Sequence, residues 1–201
     1  MANVATVTRQ LVARRRRNTG LFALALAAPL AACGGATLDA YNLSAARPAP
    51  ARALRAPVRV AEPFAGRDLD SDRILVRTGP QQMATLAHAK WPDRLPRIVQ
   101  ARMIQSFQNA GLAPQVGESS AAARYVLDLD IRKFELDVLR SRVEIDVAAT
   151  LISPSAGDVA TEDFTAAAAV SSTDPATVVA AMNGALSSVM KRIVAFVAAR
   201  L

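Results

Sequence analysis

Residues 125–151 read YVLDLDIRKFELDVLRSRVEIDVAATL, and this stretch decides the fold. Tyr125, Leu127, Leu129 and Ile131 alternate with Val126, Asp128, Asp130 and Arg132. After a turn at Arg140-Ser141, Val143, Ile145, Val147, Ala149 and Leu151 alternate with Arg142, Glu144, Asp146, Ala148 and Thr150. A period of two with one wet face marks half-buried strands. A second turn, Pro154 to Asp158, leads to a weaker strand around Val159 to Ala167. Together the three form an antiparallel meander.

Two helical patterns flank the meander. Upstream, a helix opens at Pro92 or Asp93, and Leu95, Val99, Met103, Phe107 and Ala110 recur at spacings of three and four to make one apolar stripe, flanked by Ile98 and Ile104. Pro96 falls in the first turn, where a missing N–H costs little, and Gly111 supplies the stop. Downstream, Thr173-Asp174-Pro175 reads as a cap followed by proline at the first helical position, opening a helix to about Arg200. Its stripe is Val178, Met182, Leu186, Val189, Ile193 and Phe196, and Lys191, Arg192 and Arg200 suit its C-terminal dipole. Before the first helix, Val58 to Val60 and Asp72 to Arg77 read as strands, and Gly79-Pro80 ends the second. Gln81 to Lys90 is ambiguous, with a further strand plausible. Two helices on an antiparallel or mixed sheet make a single α+β domain.

The N-terminal third differs in composition. The chain has 201 residues and a formal net charge of +7. Arg9 and the run Arg14 to Arg17 lie in the first 32 residues, which contain no acidic side chain; without them 19 basic residues face 17 acidic ones. The basicity therefore belongs to a targeting segment, and nucleic-acid binding is excluded. Leu21 to Leu30 form an apolar run too short to cross a bilayer of ~30 Å, and Ala31-Ala32 are small residues before a cut. This is the layout of a secretory signal. Asn18-Thr19-Gly20 after Arg16-Arg17 departs from a twin-arginine signal.

Leu30-Ala31-Ala32-Cys33 looks like the lipobox of bacterial lipoproteins. Cleavage between Ala32 and Cys33 would leave Cys33 at the mature N-terminus, its thiol carrying a thioether to diacylglycerol. Gly34-Gly35 would break a core helix around Cys33. Because Cys33 is the one cysteine, no disulfide forms within a chain. Gly34 replaces the Asp that commonly retains such proteins at the inner membrane, which points to the periplasmic face of the outer membrane. Tyr41-Asn42-Leu43 reads as a short strand, and Ala45 to Pro57, with Pro48, Pro50 and Pro57, reads as a tether or a loop over the surface. Extended at ~3.1 Å per residue, that stretch would reach roughly 40 Å. The expected divisions are a signal peptide over 1–32, a lipidated, partly proline-rich segment over 33–57, and the α+β domain over 58–201.

Catalytic chemistry finds little support. There is no P-loop, no G-x-G-x-x-G and no C-x-x-C, so no nucleotide cofactor is expected. His88, the one histidine, lacks a nucleophile elbow. Asp68-Leu69-Asp70-Ser71-Asp72 imitates the start of a calcium loop, but Arg73 and Gly79 stand where Gly and a bidentate Glu are needed, so no metal is expected. Asp128, Asp130, Glu144 and Asp146 share the polar faces of adjacent strands with Arg132, Lys133, Arg140 and Arg142, a pattern that cross-strand ion pairs explain. An enzyme is not expected. Trp91, the one tryptophan, either fills the core or contacts a partner chain or lipid.

Several separated stretches resemble one family. Asp70-Ser71-Asp72-Arg73-Ile74, His88 to Pro96 (HAKWPDRLP), Ala123 to Phe134 (ARYVLDLDIRKF, with Arg124 where an Asp is usual) and Ala180 to Leu186 (AAMNGAL) look like the ABC-type transport auxiliary lipoproteins of the PqiC/YmbA type. The similarity covers roughly Tyr41 to Leu201, behind a lipobox. The resemblance implies an accessory to phospholipid trafficking, in which inner-membrane transporter subunits work with an MCE-domain protein that bridges the periplasm. This chain would sit at the outer membrane and dock that bridge, with a homo-oligomeric ring one arrangement it admits. The resemblance supplies no catalytic residue. The other reading is a stand-alone envelope lipoprotein that assists outer-membrane assembly or binds an apolar ligand.

Overall fold

The computed structural model describes residues 37–118, 123–155 and 157–201. The compact unit that holds them spans Ala36–Leu201. Its strands are β1 (Asp39–Ala40), β2 (Val58–Val60), β3 (Phe64–Ala65), β4 (Arg73–Gly79), β5 (Gln82–Lys90), β6 (Val116–Gly117), β7 (Tyr125–Asp137), β8 (Arg142–Ser153) and β9 (Gly157–Ala169). The helices are α1 (Leu95–Asn109) and α2 (Pro175–Ala198), with a short 3-10 turn at Ala113–Gln115. Among the described residues the strands join in one nine-stranded mixed sheet, and the single α+β domain expected from the pattern is the architecture observed.

β7 is the spine of that sheet. One edge pairs antiparallel with β8 along its whole length, from Val126 opposite Ile152 to Asp137 opposite Arg142. β8 in turn pairs antiparallel with β9, completing the meander. The other edge of β7 takes three successive parallel pieces: β2 beside Tyr125 to Leu127, β3 beside Asp130 and Ile131, and β4 beside Glu135 to Asp137. The chain from Val58 to Arg77 therefore runs alongside β7 in the same direction. β4 and β5 form a hairpin, with Arg77 opposite Met83 and Arg73 opposite Lys90. The ambiguous stretch before Trp91 is this second hairpin strand. His88 sits at φ 56° where β5 bulges, and its side chain is exposed.

Alternation sets which face is dry. Leu127, Leu129, Ile131, Phe134 and Leu136 of β7 line up with Val143, Ile145, Val147, Ala149 and Leu151 of β8, and all are buried. Phe164 extends this face onto β9. One register shift between Ile131 and Lys133 keeps the inward set in phase past the middle of the strand. The α1 stripe joins this core through Leu95, Val99, Met103, Phe107 and Ala110, lying against α2, β2 and β6, and α2 buries eleven side chains, including the whole expected stripe from Val178 to Phe196. Helix α2 is long and apolar enough to pass for a membrane span, and these contacts account for that apolarity. Asp174 caps it, accepting from Thr177 N at 3.2 Å, ahead of Pro175 at the first position. Gly111, at φ +87°, ends α1 in the left-handed conformation that glycine tolerates.

Two expectations are corrected. The short strand near Tyr41 lies one step earlier, at Asp39–Ala40, and 41–43 have no regular structure. The stretch 45–57 is not a tether: Ala46, Leu54 and Ala56 are buried, and its backbone is bonded to α1, to the turn that follows α1 and to the C-terminal residue. It takes the other form expected, a loop laid over the body. Polar side chains supply what a sheet would have supplied. Asn183 accepts from Ser44 N at 2.7 Å, Ser106 accepts from Ala46 N at 2.9 Å, and Asn109 donates to Ala46 O at 2.8 Å. Gln115 accepts from Leu54 N at 2.8 Å and donates to Leu54 O at 2.6 Å, while Arg55 N donates to Leu201 O at 2.8 Å. A proline-rich segment without a ladder can be buried only if each polar group finds such a partner.

Candidate functional site

The residues singled out by sequence fall into separate places. Ala32 and Cys33, the expected cleavage and acylation site, lie outside the described residues. The described chain emerges at Thr37 and enters β1, which runs parallel to β5 with Asp39 opposite Ala89 and Ala40 opposite Lys90.

Trp91 takes the core position, the first of the two roles read for it, and leaves the partner contact without support. It is 1% exposed and packs edge-on against Phe134, ring centroids 6.0 Å apart. Its backbone N–H donates to Asp72 O at 2.7 Å, while Leu95 N donates to Ser71 O at 3.0 Å. Arg94 adds an ion pair to Asp70, with Nε at 2.6 Å from Oδ1, and reaches Glu62 at 3.2 Å. The DSDRI and WPDRLP stretches are thus two halves of one clip that sets the start of α1 against β4. The same contacts occupy the acidic run that imitates a calcium loop: Asp70 holds Arg94, and Asp72 lies 3.7 Å from Lys90. Among the described residues no group of three or more His, Cys, Asp or Glu is arranged to hold a metal ion.

The polar face of the meander is a lattice of ion pairs. Arg132 joins Asp130 at 3.4 Å and Asp163 at 3.0 Å, the latter from β9. Glu144 is shared by Arg142 at 2.6 Å, Lys133 at 3.4 Å and Arg140 at 3.6 Å. The hydrogen bond from Arg142, with help from Lys133, holds the Glu144 carboxyl below its ordinary range despite partial burial. Such a carboxylate stays ionised and serves poorly as a general acid. Sequence reasoning missed two buried carboxylates here. Glu135 is 4% exposed and takes a two-pronged pair from Arg77, at 2.7 and 3.2 Å. Asp137 is 1% exposed and accepts from the backbone N of Arg140 at 3.0 Å and from its guanidinium at 2.9 Å. Burial pushes Asp137 up, but the bonds from Arg140 outweigh it and leave it lowered. Their signal was present in FELD, where acidic residues share the face of Asp128 and Asp130 across the register shift.

Cavities among the described residues are open and charged. One, of about 580 Å³, lies between Arg55, Tyr125, Ser153 and Arg200. Another, of about 280 Å³, lies over Lys133, Glu144 and Asp146. The apolar side chains that stand out into solvent are Phe64, Met83, Val138 and Leu139. The last three gather at one end of the sheet. Arg77 faces Met83 across the β4–β5 hairpin, and Val138 N donates to Arg77 O at 3.1 Å.

Comparison with known proteins places these features. A crystal structure of protein XCC0632 from Xanthomonas campestris is similar with a TM-score of 0.69 at 29% identity, covering 82% of this chain and 96% of that one. A crystal structure of another uncharacterized protein shares the fold, with a TM-score of 0.65 at 14% identity over 80% of this chain and 99% of that one. The uncharacterized protein bll6063 of Bradyrhizobium diazoefficiens is 30% identical over 147 residues, 72% of this chain, and the chain spans 40% of that relative's length. Residues 41–194, which include the clip, the meander and most of α2, match the family described as the ABC-type transport auxiliary lipoprotein component, and the chain belongs to that family.

Proposed function

We propose that the chain is a non-enzymatic, acyl-anchored docking protein of an ABC/MCE-type transport system. In this reading it is cleaved before Cys33, acylated there, and held at the periplasmic face of the outer membrane. Its body meets the end of a periplasm-spanning MCE-domain protein, so that phospholipid moves between membranes while inner-membrane subunits consume the ATP. The observation that carries the reading is the family match over 41–194, which covers nearly all of the folded body. The lipobox-like Leu30 to Cys33 supports the anchor. The ion pairs on the outer face support docking over catalysis, since Asp130, Asp137, Glu144 and Asp163 are engaged by cations, although Asp146 Oδ1 is buried without a partner.

Co-purification tests it. The tagged full chain, expressed at native level and extracted in mild detergent, should bring down an MCE-domain protein and transporter subunits. Recovery of the acylated chain alone, across detergents that preserve other envelope complexes, would contradict the docking role.

A further inference from the structure

Phe64 lies apart, beside Asp130, while one end of the sheet carries the other three of the four exposed large apolar side chains among the described residues. Both the β4–β5 turn at Pro80-Gln81 and the β7–β8 turn at Val138 to Ser141 lie there, because β4 runs parallel to the end of β7. Met83 is 41% exposed, Val138 38% and Leu139 62%, and exposed apolar side chains that share one end, unlike scattered ones, mark a contact surface. The charges around them are sorted by depth. The side chains of Asp137 and Glu144 are only 2% and 12% exposed, while those of their partners Arg140 and Arg142 are 59% and 45% exposed. This end therefore presents guanidinium groups outward, with the neutralising carboxylates behind them.

The direction of the chain adds a second observation. β1 is parallel to β5 at Ala89 and Lys90, so the residues before Asp39 approach from the side of the hairpin turns. Along β4, Arg73 is opposite Lys90 and Arg77 is opposite Met83. Four residues at ~3.3 Å each separate those levels by about 13 Å, and Leu139 lies some two residues further out. From Cys33 to Ala40 is seven residues, which span at most about 25 Å. The length of chain from Cys33 to the body thus suffices to bring the level of these turns to whatever surface holds Cys33.

We propose that Met83, Val138 and Leu139 dip into the lipid surface that anchors Cys33, with Arg140 and Arg142 over its phosphate headgroups. The proposal rests on the acylation of Cys33 in the reading above and adds an orientation to it: the hairpin turns face the anchoring membrane, and the far end, where Ala51 to Arg55 meet the C-terminus, faces away. Small apolar tips ringed by arginine suit the boundary between headgroups and acyl chains.

The full chain, matured in cells and reconstituted in vesicles of phosphatidylethanolamine with a minority of phosphatidylglycerol, provides the test. Because Cys33 is the one cysteine, its acylation leaves an introduced cysteine as the single free thiol. An environment-sensitive fluorophore is placed at Leu139→Cys, at Met83→Cys, and at Ala53→Cys on the exposed far end as control. Probes at 139 and 83 should shift to the blue and be quenched by lipid-borne quenchers several-fold more than the probe at 53. Equal, water-like emission at all three positions in chains whose mass shows acylation would overturn the orientation while leaving the anchor intact, and would free the turns for a protein partner. A chain that takes a second label at an unmodified Cys33 would remove the anchor reading, and the orientation falls with it.

Discussion

Gln115 binds both polar groups of one residue, Leu54, and so replaces two bonds of a strand ladder with one side chain. Replacing it with Leu would strand a part-buried N–H and C=O. The expected loss is about 1–3 kcal/mol in urea unfolding, with faster proteolysis in 45–57 than elsewhere. If Gln115→Leu unfolds like the parent and the loop stays protected, the side-chain clamp is not what holds it. The buried carboxylates predict an acid response. Asp137 and Glu144 are both lowered in the folded state, so their contribution is present above the ordinary carboxylate range and is lost as pH falls through their depressed values. Stability should be flat from neutral pH to about 5 and then decline below about 4. Asp137→Asn should flatten that decline in thermal melts across the same range.

At the scale of elements, Asp174 and Trp91 separate two kinds of contribution. Asp174→Ala removes the cap of α2 and should cost about 1 kcal/mol, read as a lowered melting temperature with unchanged fold. Trp91→Ala empties a site in contact with Phe134 at the start of α1 and should cost about 3–5 kcal/mol, with loss of near-ultraviolet circular dichroism. The first effect was legible in sequence because a cap, a proline and a 3.6-residue stripe are all local signals. The hairpins of the meander were legible for the same reason, since Val143 to Leu151 state their own period, whereas β5 stayed ambiguous. The 45–57 loop was not legible, because Leu54 finds Gln115 at a separation of 61 residues and Ala46 finds Ser106 at 60, and nothing near them announces it. The parallel pieces β2, β3 and β4 along β7 were hidden likewise, since short strands take their register from a distant neighbour. Trp91 remained open because an indole suits a core and an interface equally well until its neighbours are known.

At the scale of the molecule, the packing of 45–57 changes how the body relates to its anchor. A tether of roughly 40 Å would have let the body range over its membrane. With that stretch laid along α1 and against the C-terminal residue, the segment between Cys33 and the body shortens to the few residues before β1. Of the candidate site, only the proposed acylation point was legible in sequence: the lipobox-like motif names Cys33, whereas the exposed turns at Met83 and Leu139 emerge once β4 is seen to run beside the end of β7. The proposed anchor, orientation and docking all depend on acylation of Cys33. The intact mass of the mature chain, purified from the membrane fraction, tests that dependence most directly. The chain should begin at Cys33 and carry the added mass of a thioether-linked diacylglycerol, and Cys33→Ser should abolish that mass and release a folded body. A mature chain that begins downstream of Cys33, or that carries Cys33 as an unmodified thiol, would contradict the account.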